Sequence, residues 1–291
     1  MRYITYIISL ILSTAILKAE NSTRPSSEYV TIDLMGQLGN QLFQIATAYA
    51  YALDHDIPLT IPDLQSNPNY NIPYNAKKLF LDRIASYSPT SPPERNWHEP
   101  VFNYTKIPSC TKISLMGYFQ SEKYFKHRRN EILDLFAAPA EIQKQILAKY
   151  PFLSSDNLVV GIQIRDYRWE QPSENYHPTK KRPYYEKAIS YFPKDTIFIV
   201  SSNNPSLAKE CTEGLSSNII YLEGADYIEE FYTLVLCKSF IIGNSSFGWW
   251  ASWMSTAKDK IVIAPNLWFS PPFNLNVMRD IFPEGCLILD Y

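Results

Sequence analysis

Strands and helices alternate along the second half of the chain, and this alternation restricts its fold more than any other feature. Short apolar runs rich in Val and Ile are followed by segments in which apolar residues recur every three or four positions. The predicted strands are 158–164, 196–200, 219–222, 240–242 and 260–264, and the predicted helices are 184–191, 205–213, 227–237 and 248–255. This order is typical of βαβ units, which form a parallel sheet with helices on both faces.

The first half of the chain begins in the same way. Residues 29–34 are rich in Val, Ile and Leu and predict a buried strand. Gly36 and Gly39 follow and permit a tight turn. From Leu38 the apolar residues take helical spacing to about residue 53, and residues 57–61 are a candidate for the next strand.

The remainder of this half is less regular. Residues 67–108 are rich in Pro, Asn, Ser and Tyr, which predicts irregular structure on the surface with short helices at most. Ser121 is a candidate cap for a helix to about residue 136, and Pro139 for the start of another that ends near Tyr150. We therefore predict an α/β protein with two halves and a boundary near Ser155.

The N-terminal segment predicts targeting rather than fold. Arg2 precedes an apolar run, residues 4–17, which is shorter than the roughly 20 residues of a spanning helix. A signal peptide fits this length, but bulky Leu17 makes a weak cleavage site, so a short membrane anchor fits equally well. Residues 1–23 are therefore set apart from the fold. We expect an exported or membrane-associated protein.

Composition excludes some functions. The formal net charge is −2, from 27 basic and 29 acidic residues. Nucleic-acid binding needs a basic face, so no nucleic-acid partner is expected. The basic clusters 127–129 and 180–182 are predicted to be solvated surface. The four cysteines form no CxxC pair, which argues against a zinc or redox site; they are expected to be buried or unpaired, with two disulfides an alternative if the chain is exported.

The loops after residues 34, 164, 200 and 242 are where ligands of open parallel sheets bind. In the first, residues 35–41, a glycine turn leads into a helix whose N-terminus can present N–H groups to an anion, and Asn40 adds a side-chain donor. In the second, Arg165 and Asp166 leave a buried strand. Arg165 can hold a pyrophosphate bidentately, or it can form a surface ion pair with Asp166.

The loop at residues 243–247 joins a strand to a helix. Ser245 and Ser246 suit a phosphate at a helix N-terminus, and either serves equally well as a plain helix cap. Other features favour ordinary roles. The three tryptophans of residues 249–253 are expected in the core, the four histidines on the surface, and Asp54 and Asp56 are not expected to bind metal.

These loops together resemble the alpha-1,2-fucosyltransferases, glycosyltransferase family 11. The resemblance runs in order over residues 30–269. Its segments are MGQLGNQLFQ at 35–44, GYFQSEKYF at 117–125, FY at 231–232, CK at 237–238, NSSFGWW at 244–250, IVIAP at 261–265 and WF at 268–269.

The resemblance implies a GT-B-like fold, with two Rossmann-like parallel-sheet halves and the donor site between them. Residues 28–154 would form the acceptor side and residues 155–291 the donor-binding side. The implied donor-binding residues are Gly39, Asn40, Gln163, Arg165, Asn244, Ser245 and Ser246. Arg165 and Asp166 are the implied catalytic residues, with Asp166 either the base or a structural residue.

One motif departs from the family pattern. The family carries HxRRxD after its central strand, whereas this chain has Gln163 where His is expected and a single Arg before the Asp. The phosphate role of Arg165 is retained. The role of the second Arg is lost unless Arg168 substitutes for it.

The implied activity is inverting transfer of L-fucose from GDP-fucose to the 2-hydroxyl of a galactose-terminated glycan, without a metal or other cofactor. Because the motif is altered, a nucleotide- or glycan-binding homologue with impaired catalysis remains an alternative. A protein O-fucosyltransferase, which shares the general fold, is another.

Overall fold

A computed structural model of the chain describes residues 27–168, 170, 175–271 and 279–291. The strands are β1 Tyr29–Ile32, β2 Arg95–His98, β3 Lys112–Met116, β4 Val159–Ile164, β5 Ile197–Ser202, β6 Ile219–Tyr221, β7 Ser239–Ile242, β8 Val262–Pro265 and β9 Leu287–Leu289. The α-helices are α1 Leu38–His55, α2 Ile72–Leu79, α3 Arg129–Leu135, α4 Ala140–Lys149, α5 Arg182–Ile189, α6 Pro205–Thr212, α7 Tyr227–Val235 and α8 Ser246–Met254. The predicted signal or anchor lies outside these residues, within which no helix has the length and apolarity to cross a membrane.

The C-terminal sheet has six parallel strands in the order β6-β5-β4-β7-β8-β9. This is the order of the Rossmann fold, in which the direction of strand addition reverses between the first and fourth strands. The reversal falls between β4 and β7, which pair from Val160 with Ser239 to Gln163 with Ile242. Every residue of β4 is buried because helices cover both faces. The sequence-predicted alternation is confirmed.

The N-terminal sheet has three parallel strands in the order β1-β3-β2. One face, which includes Val30 and Ile113, belongs to the hydrophobic core with α1. Residues 57–61 form isolated bridges, such as Val30 with Leu59, rather than the predicted strand. The prediction of irregular structure over 67–108 is wrong at α2 and β2. Ser121 does cap a turn, but two 3₁₀ turns precede α3 instead of one helix to residue 136.

The two halves share one hydrophobic core, at which α8 of the C-terminal half packs on α1 of the N-terminal half. The Phe43 ring on α1 is 4.3 Å from that of Trp249 and 5.1 Å from that of Trp250. Trp249, Trp250 and Trp253 are all buried, which confirms their predicted place in the core. Because α8 begins at the end of β7, this packing brings the first loop of the chain to the strand reversal.

Candidate functional site

The candidate site lies where β4 and β7 end. Gly243 donates its backbone N–H to the Gln163 carbonyl at 3.1 Å, which holds the two strand ends together. Helix α8 then crosses over Gln163. A Cβ on Gly248 would lie only 2.8 Å from the Gln163 Cβ, so the glycine is needed for this approach. The predicted loops after residues 164 and 242 therefore share one crevice.

The glycine loop of the N-terminal half meets the same crevice. A Cβ on Gly39 would lie 2.5 Å from the Ser246 carbonyl carbon and 2.7 Å from the Phe247 nitrogen. Gly39 itself is buried, so what it supplies is the close approach of the N-termini of α1 and α8. Asn40 is fixed beside it, because its Oδ1 accepts a hydrogen bond from Gln120 Nε2 at 2.8 Å.

Arg165 extends from the end of β4 and is about one-quarter exposed. Its guanidinium pairs with Glu170 at 2.6 Å and lies over the Tyr167 ring, 5.6 Å from the ring centroid. The ion pair with Asp166 that the sequence left open is not formed. A guanidinium at this strand end can bind a diphosphate bidentately, in competition with the Glu170 carboxylate.

Asp166 is 2% exposed, and its carboxylate is fully engaged. It accepts hydrogen bonds from Arg168 Nε and Nη2, at 2.9 and 2.8 Å, and from Asn204 Nδ2 at 2.8 Å. The hydrogen bonds from Arg168 are the main cause that lowers the pKa of Asp166 to about 2. Of its two predicted roles, base and structural residue, the geometry favours the structural one. Arg168 is held by this pairing.

Two further cationic or titratable groups lie near Arg165. Lys180 is 1% exposed and donates to the Leu267 carbonyl, and burial lowers its pKa to about 8. The prediction that residues 180–182 form a solvated surface is therefore wrong at Lys180. His177 is mostly buried rather than on the surface; burial, with the charges of Arg165 and Lys180, lowers its pKa to about 4. The strand ends are thus electropositive while His177 stays neutral.

The loop that leads into α8 combines capping with buried polar atoms. The Ser245 hydroxyl accepts from the Phe247 N–H at 3.3 Å and caps the helix. Asn244 is 1% exposed and donates to the Trp268 carbonyl. Among the described residues, neither Asn244 Oδ1 nor Gln163 Oε1 has a hydrogen-bond partner. A buried acceptor without a partner is costly, so these two atoms mark where a ligand or a water donates.

Aromatic rings connect the two halves beside this crevice. Tyr118 stacks on Phe102 at 5.9 Å, and Phe102 is 6.2 Å from Phe269 of the other half. His177 lies between Phe269 and Tyr167, with ring centroids 4.5 Å from each. The sequence did not predict this set, because its members come from four separate loops without periodicity.

The acidic pair Asp54 and Asp56 lies far along α1 from this crevice. Asp54 pairs with His127 at 2.7 Å and Arg128 at 2.8 Å, so its carboxylate serves the contact with the segment before α3. All four cysteines are free, and Cys211 and Cys237 are buried. Over the described ranges, no group of three or more His, Cys, Asp or Glu side chains has the arrangement of a metal site.

Comparison with known proteins yields a family and a fold. The family model described as glycosyl transferase family 11 matches residues 4–284. Galactoside alpha-(1,2)-fucosyltransferase 2 of Oryctolagus cuniculus is 27% identical over 263 residues, covering 84% of this chain and 72% of the relative. Alpha-1,2-colitosyltransferase of Escherichia coli is 24% identical over 269 residues, covering 82% and 92%.

Solved structures show the same fold. The chain matches a NodZ alpha-1,6-fucosyltransferase soaked with GDP-fucose with a TM-score of 0.53 at 14% identity, covering 82% of this chain and 95% of that one. Fucosyltransferase NodZ from Bradyrhizobium matches with a TM-score of 0.51 at 15% identity, covering 78% and 92%. The predicted GT-B-like arrangement of two parallel-sheet halves is confirmed.

Proposed function

Since this chain belongs to glycosyl transferase family 11, we propose that it transfers L-fucose from GDP-fucose to the 2-hydroxyl of a terminal galactose on a glycan. One observation supports this most. Arg165, the N-terminus of α8 and the glycine loop of the other half all meet at the strand reversal of a Rossmann sheet, where such sheets bind nucleotides. The alpha-1,2-fucosyltransferase relatives support the linkage, at 27% identity.

The donor diphosphate would lie between Arg165 and the first turn of α8. The helix N-terminus presents backbone N–H groups at Ser246, next to the capping Ser245, and both favour an anion. Arg165 would leave Glu170 for the phosphates. Asn40 would contribute its side-chain amide from the N-terminal half, and Gly39 the close approach that makes this shared site.

The buried amides would complete the donor contacts. Gln163 Oε1 and Asn244 Oδ1 are acceptors, and hydroxyl groups of the nucleotide or of fucose are donors of the matching kind. An amide at residue 163 is neutral, so it adds no positive charge where the family's His could titrate. We therefore propose a slower enzyme than one that carries the intact family motif.

The reaction would be a single displacement with inversion. The oxygen of the acceptor's 2-hydroxyl bonds to C1 of fucose while the bond from C1 to the β-phosphate oxygen of GDP breaks. The hydroxyl proton leaves to a base or to the departing phosphate, and the negative charge that develops on GDP is stabilised by Arg165 and the α8 N–H groups. In this scheme Asp166 orders Arg168 rather than accepting the proton, and no metal takes part.

A second candidate differs only in the sugar. The alpha-1,2-colitosyltransferase of Escherichia coli matches 82% of this chain, nearly as much as the fucosyltransferase relative. The donor would then carry colitose in place of fucose. A binding protein with no turnover is the other alternative.

One assay separates these candidates. The purified protein is incubated with radiolabelled GDP-fucose, or with GDP-colitose, and a panel of β-galactosides and a Ser/Thr peptide acceptor, with EDTA present throughout. We expect label on the galactosides from GDP-fucose. Label only from GDP-colitose supports the second candidate, label on the peptide indicates protein O-fucosylation, and neither transfer nor donor hydrolysis with any substrate contradicts an enzymatic function.

A further inference from the structure

A cavity of about 650 Å³ lies in the N-terminal half, on the face of the sheet opposite to α1. Its floor includes Thr31 and Ser114, which are paired in register on β1 and β3, and Asp33 follows on the same face of the chain. The segment 89–93 forms one wall and is attached to the sheet by a hydrogen bond from Tyr29 Oη to the Ser91 carbonyl at 2.8 Å. Its volume is in the usual range for small-molecule sites, about 300–1,000 Å³.

The lining suits one class of occupant. Its polar groups are mainly acceptors and hydroxyls, among them the carboxylates of Asp33 and Asp63. Of the described residues that line it, none is Lys, Arg or His, so the cavity does not suit the diphosphate of the sugar donor. Prolines and isoleucines, including Ile61 and Ile72, supply apolar surface for the C–H faces of a ring. A neutral sugar combines hydroxyl donors with such faces.

The position connects this cavity to the proposed reaction. Asp33, on the cavity side, and Gly36, in the glycine loop, are three residues apart, which is at most about 10 Å of chain. A glycan of a few sugar units spans that distance. Its terminal galactose can therefore lie at the crevice while inner units lie in the cavity.

We propose that this cavity binds inner sugar units of the acceptor glycan, with Asp33 and Asp63 accepting hydrogen bonds from sugar hydroxyls. The assignment of that glycan as the acceptor rests on the proposed function. The binding itself does not. The cavity would make the protein selective for extended glycans over a single galactose.

The test is a titration without any sugar nucleotide. The protein is labelled at isoleucine δ-methyl groups, and the Ile61 and Ile72 signals are assigned with Ile61→Val and Ile72→Val. The ligands are lacto-N-neotetraose, GDP and methylammonium chloride. We expect the tetrasaccharide to shift both signals saturably, and GDP and methylammonium to leave them unchanged.

Two matched variants locate the contact. Asp33→Asn removes one carboxylate of the cavity with little change of shape, and Asp82→Asn removes an exposed carboxylate outside it. We expect Asp33→Asn to weaken tetrasaccharide binding about tenfold, as the loss of a charge-assisted hydrogen bond implies, and Asp82→Asn to leave it unchanged.

Other outcomes overturn the proposal. They are the absence of shifts at Ile61 and Ile72 with the tetrasaccharide, shifts with methylammonium or GDP instead, or equal binding by Asp33→Asn and the unmodified protein. Because no donor is present, these results do not depend on catalysis. A protein that binds the tetrasaccharide in the cavity but transfers no fucose contradicts the proposed function and leaves saccharide binding standing.

Discussion

Arg165 and Glu170 lie 2.6 Å apart, and a diphosphate held by Arg165 has to replace that carboxylate. We expect opposite effects from changing the two partners. Arg165→Ala should weaken GDP binding more than tenfold, because a hydrogen bond to a charged group contributes about 1.5–3 kcal/mol. Glu170→Gln should tighten it by up to about fivefold, because a partly exposed ion pair contributes about 0.2–1 kcal/mol.

Calorimetric titration with GDP measures both effects. Arg95→Ala and Glu186→Gln change exposed side chains away from the crevice and serve as matched controls that should bind GDP normally. Unchanged GDP affinity in Arg165→Ala would show that the phosphates bind elsewhere. Weaker binding by Glu170→Gln would show that Glu170 supports the donor instead of competing with it.

Asp166 offers a pH-dependent prediction. Its folded pKa of about 2 lies below the unfolded value of about 3.9, so its ionised form stabilises the fold. That contribution is complete above about pH 4 and is lost as the pH falls toward 2. Asp166→Asn should lower the free energy of unfolding by about 2 kcal/mol at neutral pH, and the difference should shrink between pH 4 and pH 2.

Denaturant unfolding across that pH range checks the stability, and turnover distinguishes the two roles of Asp166. If Asp166 orders Arg168, the folded Asp166→Asn protein keeps the pH profile of the unmodified enzyme with a modest loss of rate. A folded variant that loses turnover by a thousandfold or more would identify Asp166 as the base.

At the scale of elements, the N-termini of α1 and α8 form the frame of the site. Gly39→Ala places a Cβ 2.5 Å from a backbone atom of Ser246, which cannot rotate away as a side chain can. The two helices must separate, so we expect a loss of about 1–3 kcal/mol in stability together with weaker GDP binding.

Gly214→Ala is the control for this prediction. Gly214 has a φ of +77° and no atom within 4 Å of its added Cβ, so the substitution strains the backbone by about 1–2 kcal/mol without a clash. Both variants are compared by denaturant unfolding and GDP titration. If Gly39→Ala binds GDP as well as Gly214→Ala does, the contact between the two helices does not shape the donor site.

The elements also show what the sequence can predict. Strands β4 to β8 lie within two residues of their predicted ends, because buried parallel strands are nearly continuous apolar runs. Strand β2 was missed because its residues, Arg95–His98, are polar and mostly exposed at the edge of a sheet. Strand β3 was missed because apolar and polar residues alternate in it over only five positions.

The same limit applies to the candidate site. The loops were predictable, because each directly follows a strand and parallel strands end at one edge of a sheet. The pairing of Arg165 with Glu170 and the burial of Lys180 and His177 were not, because they depend on loop conformation and on contacts distant in sequence. Local pattern carries no information about such contacts.

At the scale of the whole molecule, the halves should unfold together. Trp249 is fully buried, contacts Phe43 of the other half and donates its indole N–H to the Ile281 carbonyl at 2.7 Å. Trp249→Ala should lower stability by about 3–5 kcal/mol and preserve a single cooperative transition. Trp97→Ala, at a half-buried ring of the N-terminal sheet, should have a smaller effect. Two separate transitions in calorimetry would contradict the shared core.

The shared core and the strand reversal place one crevice between two halves, and the account assigns to it one reaction. The most direct test is the NMR structure of the product formed from GDP-β-L-fucose and a β-galactoside. We predict an α-L-fucosyl residue on O2 of galactose, which requires inversion at C1 and the proposed acceptor hydroxyl. A β-linked product, or fucose on a different hydroxyl, would contradict the central claim.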